Sequence, residues 1–223
     1  MQAEIHVKTG LLNIIIYIGM KKILLGITGA SGQIYASKMM EVVRAINGEL
    51  SGKANGSESG VGSGNGSAAG MGIKLDLVFT DTAKVVWEDE LGVPVPANAL
   101  DNNSYYHPYA SGSNAADIMI VMPCTMGTIG RIASGATSDL LTRAADVMLK
   151  ERRPLIIVPR ETPFNLIHLR NLTTLAEAGA IIAPASPSFY THPQNMEELI
   201  DTFVRRILGI AGLEAHLKRF MSN

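Results

Sequence analysis

Apolar and polar positions alternate along this chain in blocks that read as strand, turn and helix in repeated succession. Lys22 to Thr28 (KILLGIT) is a short apolar run rich in branched residues, and it ends in Gly29-Ala30-Ser31-Gly32. The next segment has apolar residues at Ile34, Met39, Val42, Val43 and Ile46, the spacing of a helix with one buried face. Ile73 to Thr80 reads as a second strand, Thr82 to Glu90 as a helix, and Pro94 to Ser113 as a long polar loop. Asp117 to Met122 is a third strand, stopped by Pro123. Gly127 to Lys150 holds one or two helices with a break near Gly135. Pro154 to Val158 is a fourth strand, Pro163 to Ala178 a helix, and Ala180 to Ala183 a fifth strand. Met196 to Leu208 closes the pattern as a helix, apolar at Leu199, Ile200, Phe203, Val204 and Ile207.

Short apolar strands alternating with helices predict βαβ units. The fold class is therefore α/β: a single Rossmann-like domain with a parallel sheet of about five strands flanked by helices. The domain spans residues 21–213, with residues 1–20 an N-terminal extension and 214–223 a tail. Within it, Gly48 to Gly72 is dominated by Gly and Ser and carries almost no apolar mass. Such a stretch buries too little surface to offset its ordering entropy, so it reads as a flexible insertion between the first helix and the second strand.

Composition narrows the function. The 223 residues are 47% hydrophobic, enough for one domain with a true core. The 19 basic residues nearly cancel the 20 acidic ones, so the chain lacks the basic footprint of a nucleic-acid binder. A single cysteine, Cys124, leaves no intrachain disulfide and no Cys-rich zinc site, and the five histidines lack zinc-binding spacing. Leu11 to Met20 is apolar but only about half the length of a membrane span, and no cleavage site follows it. The expectation is a cytoplasmic protein with no membrane contact.

In open parallel sheets ligands bind outside the carboxyl ends of the strands, so the residues just past each strand carry the functional reading. Thr28-Gly-Ala-Ser-Gly32 follows strand one, and Pro123-Cys-Thr-Met-Gly-Thr128 follows strand three. Both are small and hydroxylated and both open a helix, where unpaired N–H groups and the helix dipole favour an anion such as a phosphate. Each is equally consistent with an ordinary capped turn. The first is not G-x-G-x-x-G, and no acidic residue ends strand two, which argues against a nicotinamide dehydrogenase. Thr80 reads as a cap or a ligand contact, Glu90 as a solvated helix end, and Cys124 as a small buried residue. Arg160-Glu161 stands at the mouth of strand four, Lys150-Glu-Arg-Arg153 ends the preceding helix, and Tyr190 follows strand five.

Three segments carry a family resemblance: Thr28-Gly-Ala-Ser-Gly32; the run from Arg143 through Lys150-Glu-Arg-Arg-Pro to Pro159-Arg160-Glu161-Thr-Pro-Phe164; and Pro184-Ala-Ser-Pro-Ser-Phe-Tyr190. Together they resemble the flavin prenyltransferases of the UbiX type, within the homo-oligomeric flavin-containing cysteine decarboxylase superfamily. The likeness covers Lys21 to Leu213; the Gly-Ser insertion, the first 20 residues and the short tail depart from the pattern. The resemblance implies a flavodoxin-like sheet that binds reduced FMN. It implies transfer of a dimethylallyl group from dimethylallyl phosphate to N5 and C6 of the flavin. The product, prenylated FMN, serves a UbiD-type decarboxylase. It further implies a homododecamer with FMN at subunit contacts, and no metal.

Carried over residue by residue, Gly29, Ala30 and Ser31 would bind the flavin, with Ser31 near the reacting centre. Thr80 and the loop Thr125, Met126, Gly127 and Thr128 would hold ribityl and phosphate groups. Arg143 and Arg160 would also reach bound ligands. Lys150, Arg160, Tyr190 and Arg206 would bind the prenyl phosphate, and Glu90 and Glu161 would take part in proton transfer. The chemistry is coherent, since departure of the ester leaves a phosphate that cationic donors must meet. The alternatives are an FMN-dependent cysteine-type decarboxylase, which would want an early His that is missing after Ser31, and a non-catalytic flavin-binding subunit.

Overall fold

The apolar runs assemble into one five-stranded parallel sheet in the order β2-β1-β3-β4-β5. The strands are β1 (Met20–Ile27), β2 (Gly72–Phe79), β3 (Ile118–Cys124), β4 (Leu155–Pro159) and β5 (Ile181–Ile182). The helices are α1 (Gln33–Asn55), α2 (Asp81–Leu91), α3 (Met126–Ala133), α4 (Leu140–Lys150), α5 (Leu166–Glu177) and α6 (Met196–Ile210). This is a computed structural model, and it describes residues 20–55 and 72–213. All but the last residue of the N-terminal extension (1–20), the part of the Gly-Ser insertion from 56 to 71 and the tail (214–223) lie outside the described residues.

Alternation along β1 explains the two-sided core. Ile23, Leu25 and Ile27 face one layer with Met39 and Val43 of α1 and Phe203 and Val204 of α6. Leu24 faces the other, with Ile129 of α3 and Leu141 and Val147 of α4. Strands covered on both faces read as continuous apolar runs, which is how they stand in the sequence. The order is that of a flavodoxin-like sheet, a single α/β domain as expected.

Three boundaries and one buried position that differ from the sequence reading have a local reason. β3 continues through Pro123 to Cys124, because the register against β4 shifts between Val121 and Cys124 and the missing proline N–H breaks no ladder bond. α1 runs on to Asn55, eight residues into the stretch read as insertion from Gly48. Once nucleated and pinned, a helix extends at little cost; here Asn47 pins it, exchanging two side-chain hydrogen bonds of 2.9 Å with the backbone of Ile73. α5 starts at Leu166 because Asn165 caps it, accepting from His168 N–H at 2.9 Å. Ile34, read as a core position, is 39% exposed, since the buried face of α1 begins at Ala36 and Met39. No described helix is long and apolar enough to cross a membrane.

Candidate active site at the carboxyl edge of the sheet

β1 and β3 are neighbours whose onward connections leave in opposite directions, so a crevice opens between their carboxyl ends. Thr28 stitches that crevice. Its N–H and hydroxyl both donate to Pro123 O, at 3.2 and 2.9 Å, and its oxygen accepts from Thr125 N–H at 2.8 Å. Arg160 N–H donates to Cys124 O at 3.2 Å and Thr80 N–H to Ile27 O at 3.0 Å, which brings the ends of β4 and β2 to the same edge. Gly29, Ala30, Ser31, Thr80, the Thr125–Thr128 loop and Arg160 are thus gathered in one place.

The Gly-Ala-Ser-Gly turn is held from two sides. Gln33, fully buried, donates from Nε2 to Thr28 O and Ala30 O at 2.8 Å each. Glu90, in the last turn of α2, accepts from Gly32 N–H at 2.9 Å and from Gln33 N–H at 2.8 Å. The N–H groups expected to face an anionic ligand therefore face the Glu90 carboxylate. A Cβ on Gly29 would come within 2.5 Å of the Thr82 side chain, and Gly32 has φ +99°, so both glycines are required by the close turn.

Glu90 was legible from residues alone only as a solvated helix end. A carboxylate there opposes its own helix dipole, and it finds compensation at the positive N-terminus of α1. Burial pushes the Glu90 carboxyl up, but hydrogen bonds from Ser31, Gln33 and Gly32 and the field of Arg160 outweigh it and hold it below the usual range. A carboxylate so lowered adds stability above its unfolded value, near 4.3, and that stability is lost as pH falls through the lower folded value. Glu90→Gln is therefore expected to melt lower than wild type at neutral pH, with the gap closing as pH falls below about 4. Paired thermal melts across that range check it; a gap independent of pH would refute it.

The α3 loop presents a second donor group. Thr125 caps the helix, accepting from Thr128 N–H at 3.1 Å, and its hydroxyl bonds that of Thr128 at 3.0 Å. The cap spares the N–H groups of Met126 and Gly127, which have no protein acceptor among the described residues. Gly127 is exposed while Met126 and Thr128 are buried.

Arg160 and Glu161 are both exposed and border an open cleft of about 450 Å³ with Phe164, Pro184 and Ser186. Arg160 makes no ion pair among the described residues, yet its charge reaches Glu90 and the Tyr35 phenol. Among the described residues Glu161 accepts only from its neighbour Thr162 N–H, at 2.9 Å.

Other sequence candidates stand apart. Lys150 ends α4 and pairs with Glu151 at 3.1 Å. It lies at the amino edge of the sheet, separated from Arg160 by the length of β4, five residues at about 3.3 Å each. Arg143 is engaged by Ala110 O at 3.2 Å and Asp146 at 2.9 Å. Tyr190 (71% exposed) lies in the loop before α6, and Arg206 is exposed on α6; neither has a side-chain partner among the described residues. Cys124 is fully buried and burial pushes its thiol well up, so it is a packed side chain.

The whole domain matches the family model described as Flavoprotein, over residues 18–208. A curated flavin prenyltransferase UbiX from Methanocaldococcus jannaschii is 37% identical over 202 residues, covering 88% of this chain and 96% of that protein. The chain belongs to the UbiX-type flavin prenyltransferases. The UbiX of Pseudomonas aeruginosa is 51% identical over 111 residues, half of this chain. Among solved structures, AnUbiX (PadA1), in complex with FMN and dimethylallyl pyrophosphate, superposes with a TM-score of 0.75 at 33% identity. That match covers 92% of this chain and 99% of the other. A dodecameric FMN-dependent Ubix-like decarboxylase from Escherichia coli O157:H7 superposes with a TM-score of 0.73 at 29% identity, covering 91% and 100%. As a UbiX-type enzyme the chain is a flavoprotein and a prenyltransferase.

Proposed function

We propose that this chain transfers a dimethylallyl group from dimethylallyl phosphate to reduced FMN, making prenylated FMN for a UbiD-type decarboxylase. The observation that carries the reading is the Arg160 guanidinium, without an ion-pair partner among the described residues, beside Glu161 at the carboxyl edge where the Gly29–Ser31 and Thr125–Thr128 loops meet. The donor set fits FMN: the free N–H groups of Met126 and Gly127 suit its phosphate, and the narrow glycine turn at Gly29–Gly32 suits close approach by a flat ring. When bound and reduced, the flavin supplies the electron-rich N5 and C6 positions.

Arg160 meets the phosphate of the prenyl ester with a planar fork of donors, and Lys150, Tyr190 and Arg206 add to it. As the carbon–oxygen bond breaks, the electron pair leaves with phosphate, and these donors stabilise the growing charge. Glu161, exposed and bonded only to its neighbour, is free to accept the proton released on ring closure. Glu90, held ionised, orients the Ser31 turn.

The separation of Lys150 from Arg160 within one protomer supports a site shared between copies. So does the outer face of α5, where Leu166, Ile167 and Leu169 are 59%, 67% and 48% exposed beside Phe164. A dodecamer, the state named for the Escherichia coli relative, would cover that face and bring Lys150 of one copy to Arg160 of another.

The test is anaerobic incubation of the protein with reduced FMN and dimethylallyl phosphate, followed by mass spectrometry of the flavin. The expected product is FMN enlarged by one isoprenyl unit. Unchanged flavin with decarboxylation of a cysteine-type substrate would overturn the reading.

A further inference from the structure

We propose that Lys38 is a positioning residue that fixes the loop carrying Tyr190 relative to the Gly29–Gly32 turn, an inference that rests on the reading of Tyr190 as a donor to the prenyl phosphate. Lys38 is a buried lysine in the second turn of α1, five residues past Gln33, which pins that turn. Burial alone would disfavour its charge, and two carboxylates offset that cost. Nζ donates to Glu41 at 2.7 Å, one turn on in the same helix, and to Glu197 at 2.8 Å, in the first turn of α6. Both carboxylates stand largely in solvent, so the lysine is the buried partner of each pair.

Little else holds that end of α6. Residues 194–198 are all exposed, and the buried side chains of the helix begin at Ile200. Among the described residues, the Lys38 bond is the only hydrogen bond or ion pair from residues 189–199 to α1. The loop is in turn fastened to this first turn. Gln194 N–H donates to Glu198 at 2.8 Å, Gln194 Nε2 to His192 O at 2.7 Å, and His192 N–H to Phe189 O at 3.0 Å. Thr191, the residue after Tyr190, lines one cleft of about 370 Å³ with Lys38. The bonds thus run from the Gly29–Gly32 turn through Gln33, Lys38 and Glu197 to the loop at Phe189–His192. Tyr190 has no partner of its own among the described residues, so its place is set by that loop.

A simpler account makes the bridge a clamp that only stabilises the fold. Without it α6 stays packed through Phe203, which meets Tyr35 edge-on at 5.2 Å, and through Val204 and Ile207, so its loss loosens the first turn and not the helix. Lys38→Met keeps the buried stem and strands no buried charge. Glu197→Ala breaks the bridge from its exposed side and carries the test alone should Lys38→Met fail to fold. Glu41→Ala leaves the bond between the helices and is the control. Full-length enzyme with reduced FMN is assayed for prenylated flavin with dimethylallyl phosphate varied, and flavin-free protein is titrated with oxidised FMN by fluorescence quenching. Tyr190→Phe is expected to lower kcat/KM for the ester about tenfold, the loss of one hydrogen bond to a charged group. Lys38→Met and Glu197→Ala should each lower it about fivefold through misplacement of that donor, with Kd for FMN within about twofold of wild type. Glu41→Ala should leave both quantities within about twofold. In a Tyr190→Phe background, Lys38→Met or Glu197→Ala should cost less than about twofold more, because the hydroxyl they position is gone. An unchanged kcat/KM in Tyr190→Phe, Lys38→Met or Glu197→Ala, an equal loss of FMN binding, an equal loss in Glu41→Ala, or the full loss repeated in the Tyr190→Phe background would each overturn the proposal. A wild-type protein that yields no prenylated flavin would overturn the prenyltransferase reading, and the proposal with it.

Discussion

Replacing Arg160 with alanine is expected to lower kcat/KM for dimethylallyl phosphate by about 100- to 1,000-fold, the usual effect of removing one donor from developing negative charge. The side chain is well suited to such a test. It is exposed and makes no ion pair among the described residues, so its removal opens no cavity and takes from Glu90 only a through-space charge. Stability should change by no more than about 0.5 kcal/mol. Its backbone N–H bond to Cys124 O is retained by alanine, so the crevice keeps its shape. Arg160→Lys should recover only part of the loss, because an ammonium keeps the charge but not the planar fork. The decisive measurement is steady-state kinetics with the prenyl ester varied at saturating reduced flavin. A variant within about threefold of wild type would show that transition-state charge is met elsewhere.

Much of this arrangement was legible before any coordinates. Apolar runs of four to eight residues placed the strands, and the rule that ligands sit at carboxyl ends pointed to Thr28–Gly32, Thr125–Thr128 and Arg160. These are local signals, readable in order along the chain. What failed were facts about partners far away in sequence. Glu90 bonds backbone N–H groups 57 and 58 residues distant, and no periodicity encodes such a meeting. The anion reading of the Gly-Ala-Ser turn failed for the same reason: the turn has the right donors, but the chain supplies its own carboxylate. Lys150 is a different case, since its motif pointed to the ligand while the fold sends it to the opposite edge. A sequence motif records which residues serve a site and leaves open which copy of the chain provides them.

On the proposed shared site, Lys150→Ala and Arg160→Ala should each inactivate the enzyme when expressed alone, because every site then lacks one cation. Coexpressed, with different affinity tags so that mixed assemblies can be isolated, the two variants should restore activity. A site whose Arg160 comes from the Lys150→Ala subunit and whose Lys150 comes from the Arg160→Ala subunit is complete. Random assembly at a heterologous contact places such a pairing in roughly a quarter of the sites, so recovery to about that fraction of wild type is expected. The geometry excludes recovery by any rearrangement within one copy: Lys150 and Arg160 are fixed at opposite ends of β4, a buried central strand that cannot shorten. If mixed assemblies remained as inactive as their parents, Lys150 and Arg160 would not serve one shared site, and the cationic pocket would have to be built from residues of a single protomer.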